Sequence, residues 1–182
     1  TLGEEAYRIV CIAMKPLDEI PANPQADEIE ENLNFLGLLI LSEPIRKSVI
    51  EEIEICNKAN IKTVMVTGDN FYTAKAIASK IGLLKDECEA ITGAQIREMS
   101  DEELAANIDK YCVFARVSPE DKLRIVKAWQ SRKAIVTVTG DSLSDAESLA
   151  AADVGCALGQ YGTDVAKGNA DIIIPKNNFG AV

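Results

Sequence analysis

Histidine is absent from this 182-residue chain, and its five cysteines are scattered without any C-x-x-C pair. Most zinc sites, haem ligation and nucleophilic catalysis by Cys-His or Ser-His pairs are therefore excluded. Because most of the cysteines lie inside apolar runs, we interpret them as buried, reduced thiols of the kind found in the cytosol. The chemistry of the chain must then rest on carboxylates, lysine, hydroxyl groups and backbone amides.

Positive charge is also scarce, since 19 Lys and Arg residues face 29 Asp and Glu residues and give a formal net charge of −10. This balance argues against nucleic acid or an anionic membrane surface as a partner. The longest apolar runs, at 35–41 and 134–138, are far shorter than the ~20 residues that a membrane span needs. The N-terminal residues also lack the basic region and apolar core of a signal peptide. We therefore expect a soluble chain that does not span a membrane.

Apolar runs alternate with helix-compatible stretches from residue 35 to the end. Continuous rather than alternating apolar runs are typical of strands in a parallel sheet covered by helices on both faces, so we predict an α/β fold. An earlier strand is predicted at 7–14. Residues 16–32 carry three prolines and six acidic residues with little apolar content. We interpret them as a surface connection and place a domain boundary there, between 1–32 and 33–182.

Two predicted strands end in the same tripeptide, Thr67-Gly68-Asp69 and Thr139-Gly140-Asp141. In a parallel sheet both tripeptides lie at the carboxyl edge, where ligands of such folds bind. Glycine permits close approach of a phosphate, threonine offers a hydroxyl, and the amides of the following helix favour an anion. The alternative at the first tripeptide is an ordinary helix cap formed by Asp69 and Asn70. From the residues alone, a phosphate-binding site and a simple helix cap are both possible interpretations.

Asp145 follows Asp141 by four residues and faces the same point if the intervening loop tightens into a helix. Two close carboxylates repel each other unless a proton or cation lies between them, and Mg²⁺ suits such a pair. The alternative is that Asp141 and Ser142 only cap a helix. Lys122 lies in the first turn of a helix predicted to begin at Pro119, where a cation opposes the helix dipole.

A cation in that position is a candidate for binding phosphoryl oxygens. The alternative is a solvated lysine whose charge is offset by Glu120 and Asp121. Together these candidates form a set typical of phosphoryl transfer with Mg²⁺, although the set contains no evident nucleophile. Its members are Thr67, Gly68, Lys122, Asp141 and Asp145.

Five ordered motifs give the chain a family likeness. They are FLGLLILSEPIR (35–46), IKTVMVTGDN with TAKAIASKIGL (61–70 and 73–83), VFARVSPEDKLRIVKAWQ (113–130), TGDSLSDAESLAAADVGCALG (139–159) and YGTDVAKGNADIII (161–174). From residue 33 onward the chain resembles the cytoplasmic head of P-type cation-transporting ATPases, in the group of calcium and sodium pumps. Residues 1–20 resemble the last strand of that family's nucleotide-binding domain. Several ordered motifs are far more specific than any single pattern.

The resemblance implies a haloacid dehalogenase-like, Rossmann-type parallel sheet with a small remnant of the nucleotide-binding domain. In this family an aspartate in a D-K-T-G-T motif takes the γ-phosphate of ATP to drive transport of an inorganic cation. Carried over, Asp141 would ligate Mg²⁺ with Asp145 orienting the site as a second carboxylate at the metal. Thr67 and Gly68 would hold the phosphate, and Lys122 would neutralise it. The expected location is the cytoplasmic face of a membrane protein.

The chain departs from the family pattern in two ways. D-K-T-G-T is absent, which implies a fragment truncated upstream that forms no phosphoenzyme by itself. The family's T-G-D-G-V-N-D-A-P reads T-G-D-S-L-S-D-A-E here, and Ser142, Ser144 and Glu147 are among the replacements. The leading interpretation is part of an ion pump. A degenerate, non-catalytic head with a regulatory or interaction role is the alternative, and a free-standing phosphatase of the same fold is a third.

Overall fold

A computed structural model of the chain describes residues 7–19, 22–41, 44–85, 88–175 and 179–181. Within these ranges the strands are Arg8–Met14 (β1), Asn34–Leu41 (β2), Met65–Val66 (β3), Glu89–Thr92 (β4), Tyr111–Ala115 (β5), Thr137–Gly140 (β6), Val154–Leu158 (β7) and Ile172–Ile174 (β8). The α-helices are Ala26–Ile29 (α1), Lys47–Lys58 (α2), Phe71–Lys80 (α3), Gly93–Glu98 (α4), Asp101–Asn107 (α5), Pro119–Ser131 (α6), Ala146–Ala151 (α7) and Asp164–Gly168 (α8). Short 3₁₀ turns cover Ile108–Lys110, Leu143–Asp145 and Phe179–Ala181.

Two three-stranded parallel sheets form the body of the fold. The first has the order β3-β5-β4, and the second has the order β6-β7-β8. Helices connect successive strands in both sheets, as parallel pairing requires. This arrangement confirms the predicted α/β class with parallel strands flanked by helices.

The central strand of the first sheet supplies much of the core. Val113, Phe114 and Ala115 of β5 are fully buried and pack against helices on either side. One cluster includes Ala78 of α3, and the other includes Leu104 of α5. Complete burial of a side chain the size of Phe or Leu contributes roughly 1.5–3 kcal/mol. The core therefore holds β5 in place, and with it the loop that follows at the carboxyl edge.

Helix boundaries follow the local signals in the sequence. Ser118 caps α6 through a reciprocal contact with Asp121, and Pro119 occupies the first turn as predicted. Asn70 accepts a hydrogen bond from the backbone N–H of Tyr72 at the start of α3. Gly82 adopts a φ of +74° just after that helix, a conformation in which a side chain is strained. Within the described residues no helix has the length and apolar character needed to cross a bilayer.

Strand β2 does not join the parallel sheets. It pairs antiparallel with β1, with Ile12 opposite Gly37, and both strands remain largely solvent-exposed. Phe35, for example, is 64% exposed. The expectation that residues 7–14 and 35–41 form buried strands is therefore wrong. The expectation that residues 35–41 belong to the parallel sheet is wrong as well. A continuous apolar run has no periodicity that distinguishes these environments.

The cysteines correct a second expectation. Cys88, just before β4, and Cys112 in β5 are joined as a disulfide with a Cα–Cα distance of 5.8 Å. The interpretation as reduced thiols is therefore wrong for this pair. Cys11, Cys56 and Cys156 are free, and Cys156 is buried. Burial, and then the nearby Asp171 carboxylate, raise the pKa of the Cys156 thiol, which makes it a poor nucleophile.

We expect three free thiols when the chain is denatured without reductant and all five after reduction. The Cα separation of Cys88 and Cys112 lies in the range that a disulfide spans without backbone movement. Thiol titration of the denatured chain measures the number directly. Cys88→Ser should raise the unreduced count by one, because its partner is released, whereas the control Cys56→Ser should lower it by one. Five thiols in the unreduced chain would contradict the pairing.

Candidate functional site

Strand β3 leads into the first Thr-Gly-Asp tripeptide, and β6 ends at the glycine of the second. Each of the two is the terminal strand of its sheet. β3 pairs only with β5, and β6 pairs only with β7, among the residues that the structure describes. Each tripeptide therefore lies at the carboxyl end of a strand with one unpaired side. This is the end of a parallel sheet at which ligands bind in α/β folds.

The first tripeptide is held against the end of β5. The N–H of Thr67 donates to the carbonyl oxygen of Phe114 at 2.9 Å, and the N–H of Arg116 donates to that of Asp69 at 3.0 Å. The Thr67 hydroxyl accepts a hydrogen bond from the N–H of Asp69 at 3.1 Å and keeps its own proton. A Cβ added at Gly68 would meet no atom within 4 Å. The loop thus offers a spare hydroxyl proton beside an open space.

Lys122 and Asp145 form an ion pair at the second tripeptide. Lys122 projects from the first turn of α6, and its Nζ lies 2.5 Å from Oδ1 of Asp145 in the turn after β6. Their side chains are only 14% and 13% exposed. Asp121 binds Arg97 and the N–H of Ser118 instead. The interpretation of Lys122 as a solvated lysine offset by neighbouring acids on its own helix is therefore wrong.

The second oxygen of the Asp145 carboxylate is also fully engaged. Oδ2 accepts hydrogen bonds from the N–H of Asp141 at 3.2 Å, the N–H of Ser142 at 3.1 Å and the Ser142 hydroxyl at 2.6 Å. Burial is the largest single influence on the pKa of Asp145 and raises it. The hydrogen bonds from Lys122 and Ser142 together outweigh burial and hold that pKa below its ordinary value. Asp145 is therefore ionised at neutral pH.

Gly140 makes this close approach possible. A Cβ at this position would lie 2.6 Å from Cβ of Asp145, a separation that real Cβ atoms do not show. Glycine at the end of β6 therefore allows the following turn to fold back over the strand. This places Asp145 beneath the N–H groups of the residues that precede it.

The carboxylate of Asp141 is arranged differently. Asp141 is exposed, and its backbone carbonyl accepts a hydrogen bond from the N–H of Thr163 at 2.8 Å. Its side-chain oxygens have no hydrogen-bond or ion-pair partner among the described residues. No cluster of three or more His, Cys, Asp or Glu side chains suited to a metal occurs in the described part of the chain. One open carboxylate in an oxygen-only setting fits Mg²⁺, which keeps several waters and takes few protein ligands.

The structure brings together some of the sequence-predicted residues and leaves others apart. Lys122 and Asp145 are in direct contact, and the N–H of Asp141 binds the Asp145 carboxylate. Among the described residues, no hydrogen bond or ion pair joins Thr67 or Gly68 to this group. The sequence marks Ser142 as a possible helix cap and marks Ser142 and Ser144 as departures from a family pattern, and both hydroxyls belong to the polar group around Lys122. The i, i+3 spacing of Ser142 and Asp145 is that of a capping box, and it is the feature of the sequence that indicates their contact.

Comparison with known proteins gives one family match and several similar proteins. Haloacid dehalogenase-like hydrolases match residues 7–153. The chain is 46% identical over 181 residues to "Calcium-transporting ATPase 1" of Bacillus cereus, covering 100% of this chain and 20% of that protein. It is 41% identical over 180 residues to "Probable cation-transporting P-type ATPase" of Mycoplasma genitalium, covering 98% and 20%.

A plant protein shows the same relation. The chain is 41% identical over 185 residues to "Calcium-transporting ATPase 12, plasma membrane-type" of Arabidopsis thaliana, covering 99% of this chain and 18% of that protein. The chain thus spans about a fifth of the length of these relatives. The similarity extends over almost the whole chain in relatives from distant organisms.

We expect Asp145→Asn to lower the free energy of unfolding at pH 7 by about 1–3 kcal/mol, because the substitution leaves the Lys122 ammonium largely buried without its counter-charge. Since the folded-state pKa of Asp145 is depressed, the ionised carboxylate stabilises the fold at pH values above the ordinary carboxyl pKa. This contribution to the free energy of unfolding is lost as the pH falls through the folded-state pKa. In urea unfolding between pH 7 and pH 3, the free energy of unfolding should therefore fall less in the variant than in the wild type.

Asp101→Asn is the matched control for that measurement. Asp101 also pairs with an arginine, Arg124, but its side chain is 80% exposed. Exposed pairs contribute about 0–1 kcal/mol, so the control should change stability little. Equal losses in Asp145→Asn and Asp101→Asn would contradict a special role for the buried pair.

Proposed function

The chain belongs to the family of haloacid dehalogenase-like hydrolases, and from this premise we propose that it forms the Mg²⁺ and phosphate side of an aspartyl-phosphate site in a cation-transporting P-type ATPase. The observation that carries the proposal is the buried Lys122–Asp145 pair beside the open carboxylate of Asp141. A fixed cation next to a free hard-oxygen ligand is the combination that a phosphoryl group with Mg²⁺ requires. The relatives named above support the assignment of the larger protein.

The side chains take distinct roles in this proposal. Asp141 ligates Mg²⁺, and Asp145 completes the carboxylate pair at the metal mainly by orienting Lys122 and two backbone amides, because both of its oxygens are already hydrogen-bonded. Lys122 donates to a phosphoryl oxygen. Thr67 and Gly68 hold the phosphate from the other sheet through a hydroxyl and a backbone amide. Bound Mg²⁺ would neutralise charge on the phosphoryl group.

The nucleophile in this proposal comes from a strand outside the 182 residues, since no D-K-T-G-T motif occurs in them. Strands β3 and β6, each with one unpaired side among the described residues, are suited to pair with such a strand from either flank. An aspartate at its carboxyl end would lie between the two Thr-Gly-Asp tripeptides. The chain alone is then inactive in phosphoenzyme formation.

The antiparallel β1–β2 sheet is, in this proposal, a remnant of the nucleotide-binding domain. Its pairing supports extending that remnant from the sequence-based boundary at residue 32 to the end of β2, with the phosphorylation domain following. In the whole protein we propose ATP as the phosphoryl donor, an inorganic cation as the transported species and the cytoplasmic face of the membrane as the location. A net charge of −10 makes nucleic acid an unsuitable partner.

A degenerate head with a regulatory or interaction role is the second candidate. Its support is that Ser142 and Ser144 occupy positions next to the phosphate side of the site, where their hydroxyls bind protein groups. Sequencing the reading frame on both sides of the chain separates the two. D-K-T-G-T upstream and apolar spans of membrane length would favour the pump, and their absence would favour the degenerate head.

We expect Asp141→Asn in the full-length protein to raise the Mg²⁺ concentration needed for phosphoenzyme formation by tenfold or more, because the open carboxylate is lost. Phosphoenzyme yield is measured against Mg²⁺ at fixed ATP. Asp101→Asn removes the same charge from an exposed pair and should leave the Mg²⁺ requirement unchanged. An unaltered requirement in Asp141→Asn would show that Asp141 does not ligate the metal.

Ser144→Asn should speed turnover of the full-length protein several-fold. The side-chain oxygen of the asparagine accepts a hydrogen bond from Lys122 as the serine hydroxyl does. Its side-chain nitrogen has two N–H donors where the serine has a single O–H, so one donor remains for a phosphoryl oxygen. Steady-state ATP hydrolysis at saturating Mg²⁺ measures the effect. Ser131→Asn, at the end of α6, is the control and should have no effect. Equal rates in wild type and Ser144→Asn would make the serine neutral for catalysis.

A further inference from the structure

Four side chains beside β6 close a ring of hydrogen bonds. Lys122 Nζ lies 2.5 Å from Asp145 Oδ1 and 3.3 Å from the Ser144 hydroxyl. The Ser144 and Ser142 hydroxyls are 2.8 Å apart, and the Ser142 hydroxyl is 2.6 Å from Asp145 Oδ2. Every member of the ring therefore contacts two others. All four side chains are at least partly buried.

The direction of each hydrogen bond follows from the available protons. An ionised carboxylate only accepts, so Ser142 donates its single proton to Asp145. Ser142 then has no proton left, and Ser144 must donate in the contact between the two hydroxyls. Ser144 in turn accepts from Lys122, which also donates to Asp145. The ring runs from Lys122 through Ser144 and Ser142 to Asp145, and a direct bond closes it.

This assignment fixes what the site has left to offer a ligand. Both serine protons are used within the ring. Two of the three Lys122 protons are used as well, so one remains for an incoming anion. The Asp145 carboxylate accepts four hydrogen bonds in total, one on Oδ1 and three on Oδ2. Within the part of the chain that the structure describes, the carboxylate of Asp141 has no partner and remains open to a ligand.

We propose that Ser142 and Ser144 are positioning residues of the site, and this proposal rests on the proposed function. Their hydroxyls hold the Lys122 ammonium and the Asp145 carboxylate in one fixed geometry. A phosphoryl oxygen is then met by a single, directed N–H of Lys122, and the metal is met by Asp141. The ring prevents Lys122 from rotating its donors away and holds the Asp145 carboxylate in the orientation that binds Lys122 and two backbone amides.

Hydrogen exchange of the Lys122 ammonium tests the ring directly. The probe is ¹⁵N-labelled lysine in the 182-residue chain, with the Lys122 signal assigned by its loss in Lys122→Arg. We expect Ser142→Ala and Ser144→Ala to speed exchange of the ammonium protons about tenfold, since each removes a link in a chain of charge-assisted bonds. Ser142→Thr keeps the hydroxyl and should restore slow exchange.

Ser148→Ala is the matched control. The Ser148 hydroxyl donates to the backbone carbonyl of Asp145 at 2.8 Å and lies outside the ring. Its removal costs a buried hydrogen bond close to the same residue but should leave Lys122 exchange within twofold of wild type. If the loss of a hydroxyl only loosened the fold, exchange of the Lys122 ammonium would instead be faster in both alanine variants and in the control. The positioning role would be overturned if the Lys122 ammonium exchanged at the wild-type rate in Ser142→Ala. It would also be overturned if exchange were as fast in Ser142→Thr as in Ser142→Ala.

Binding of inorganic phosphate in the presence of Mg²⁺ separates this proposal from the proposed function. Wild type and Ser142→Thr should bind phosphate alike, and Ser142→Ala should bind it about tenfold more weakly. If ammonium exchange responds as expected but wild type binds neither Mg²⁺ nor phosphate, the ring is confirmed and the proposed function fails. If wild type binds both and Ser142→Ala binds phosphate equally well, the positioning role is overturned while the proposed function holds.

Discussion

The ion pair between Lys122 and Asp145 is the contact on which both the fold and the site depend. Lys122 belongs to the helix that follows β5 in the first parallel sheet, whereas Asp145 belongs to the turn that follows β6 in the second. Helices α6 and α7 also pack against each other. A largely buried pair is tolerated only where its remaining hydrogen-bonding capacity is met, and here Ser142, Ser144 and the backbone meet it. The same contact therefore joins the two sheets and fixes the charges of the site.

Local chemistry explains why the carboxylates of Asp141 and Asp145, which both follow β6 closely, differ. Gly140 lets the turn fold back, so Asp145 lies under backbone N–H groups and beside an ammonium. Asp141 precedes the turn, and among the described residues only its main chain is hydrogen-bonded. One carboxylate is thus held inside the structure and the other remains available to a cation. A four-residue separation in sequence produces two environments because the chain tightens into a 3₁₀ turn between them.

The sequence predicts those features that depend on neighbouring residues. The turn at Gly68 after β3, the end of β6 at Gly140, the cap at Ser118 and the glycine that follows α3 at Gly82 all obey local rules, and the structure has them. Features set by distant contacts were not predictable. Phe35 and its neighbours have the composition of a buried parallel strand, but β2 pairs antiparallel with β1.

The same limit applies within the site. Helix rules alone favour a solvated Lys122, because Asp145 lies more than twenty residues away and nothing local identifies it as the partner.

The exposed apolar surface of the chain also bears on its function. β1 and β2 expose large apolar side chains, and Ile135 just before β6 is 85% exposed. Monomeric domains rarely leave such surfaces or unpaired strand edges uncovered. This supports a chain that packs against further protein over a free-standing phosphatase of the same fold, since such a phosphatase would have to shield these edges itself.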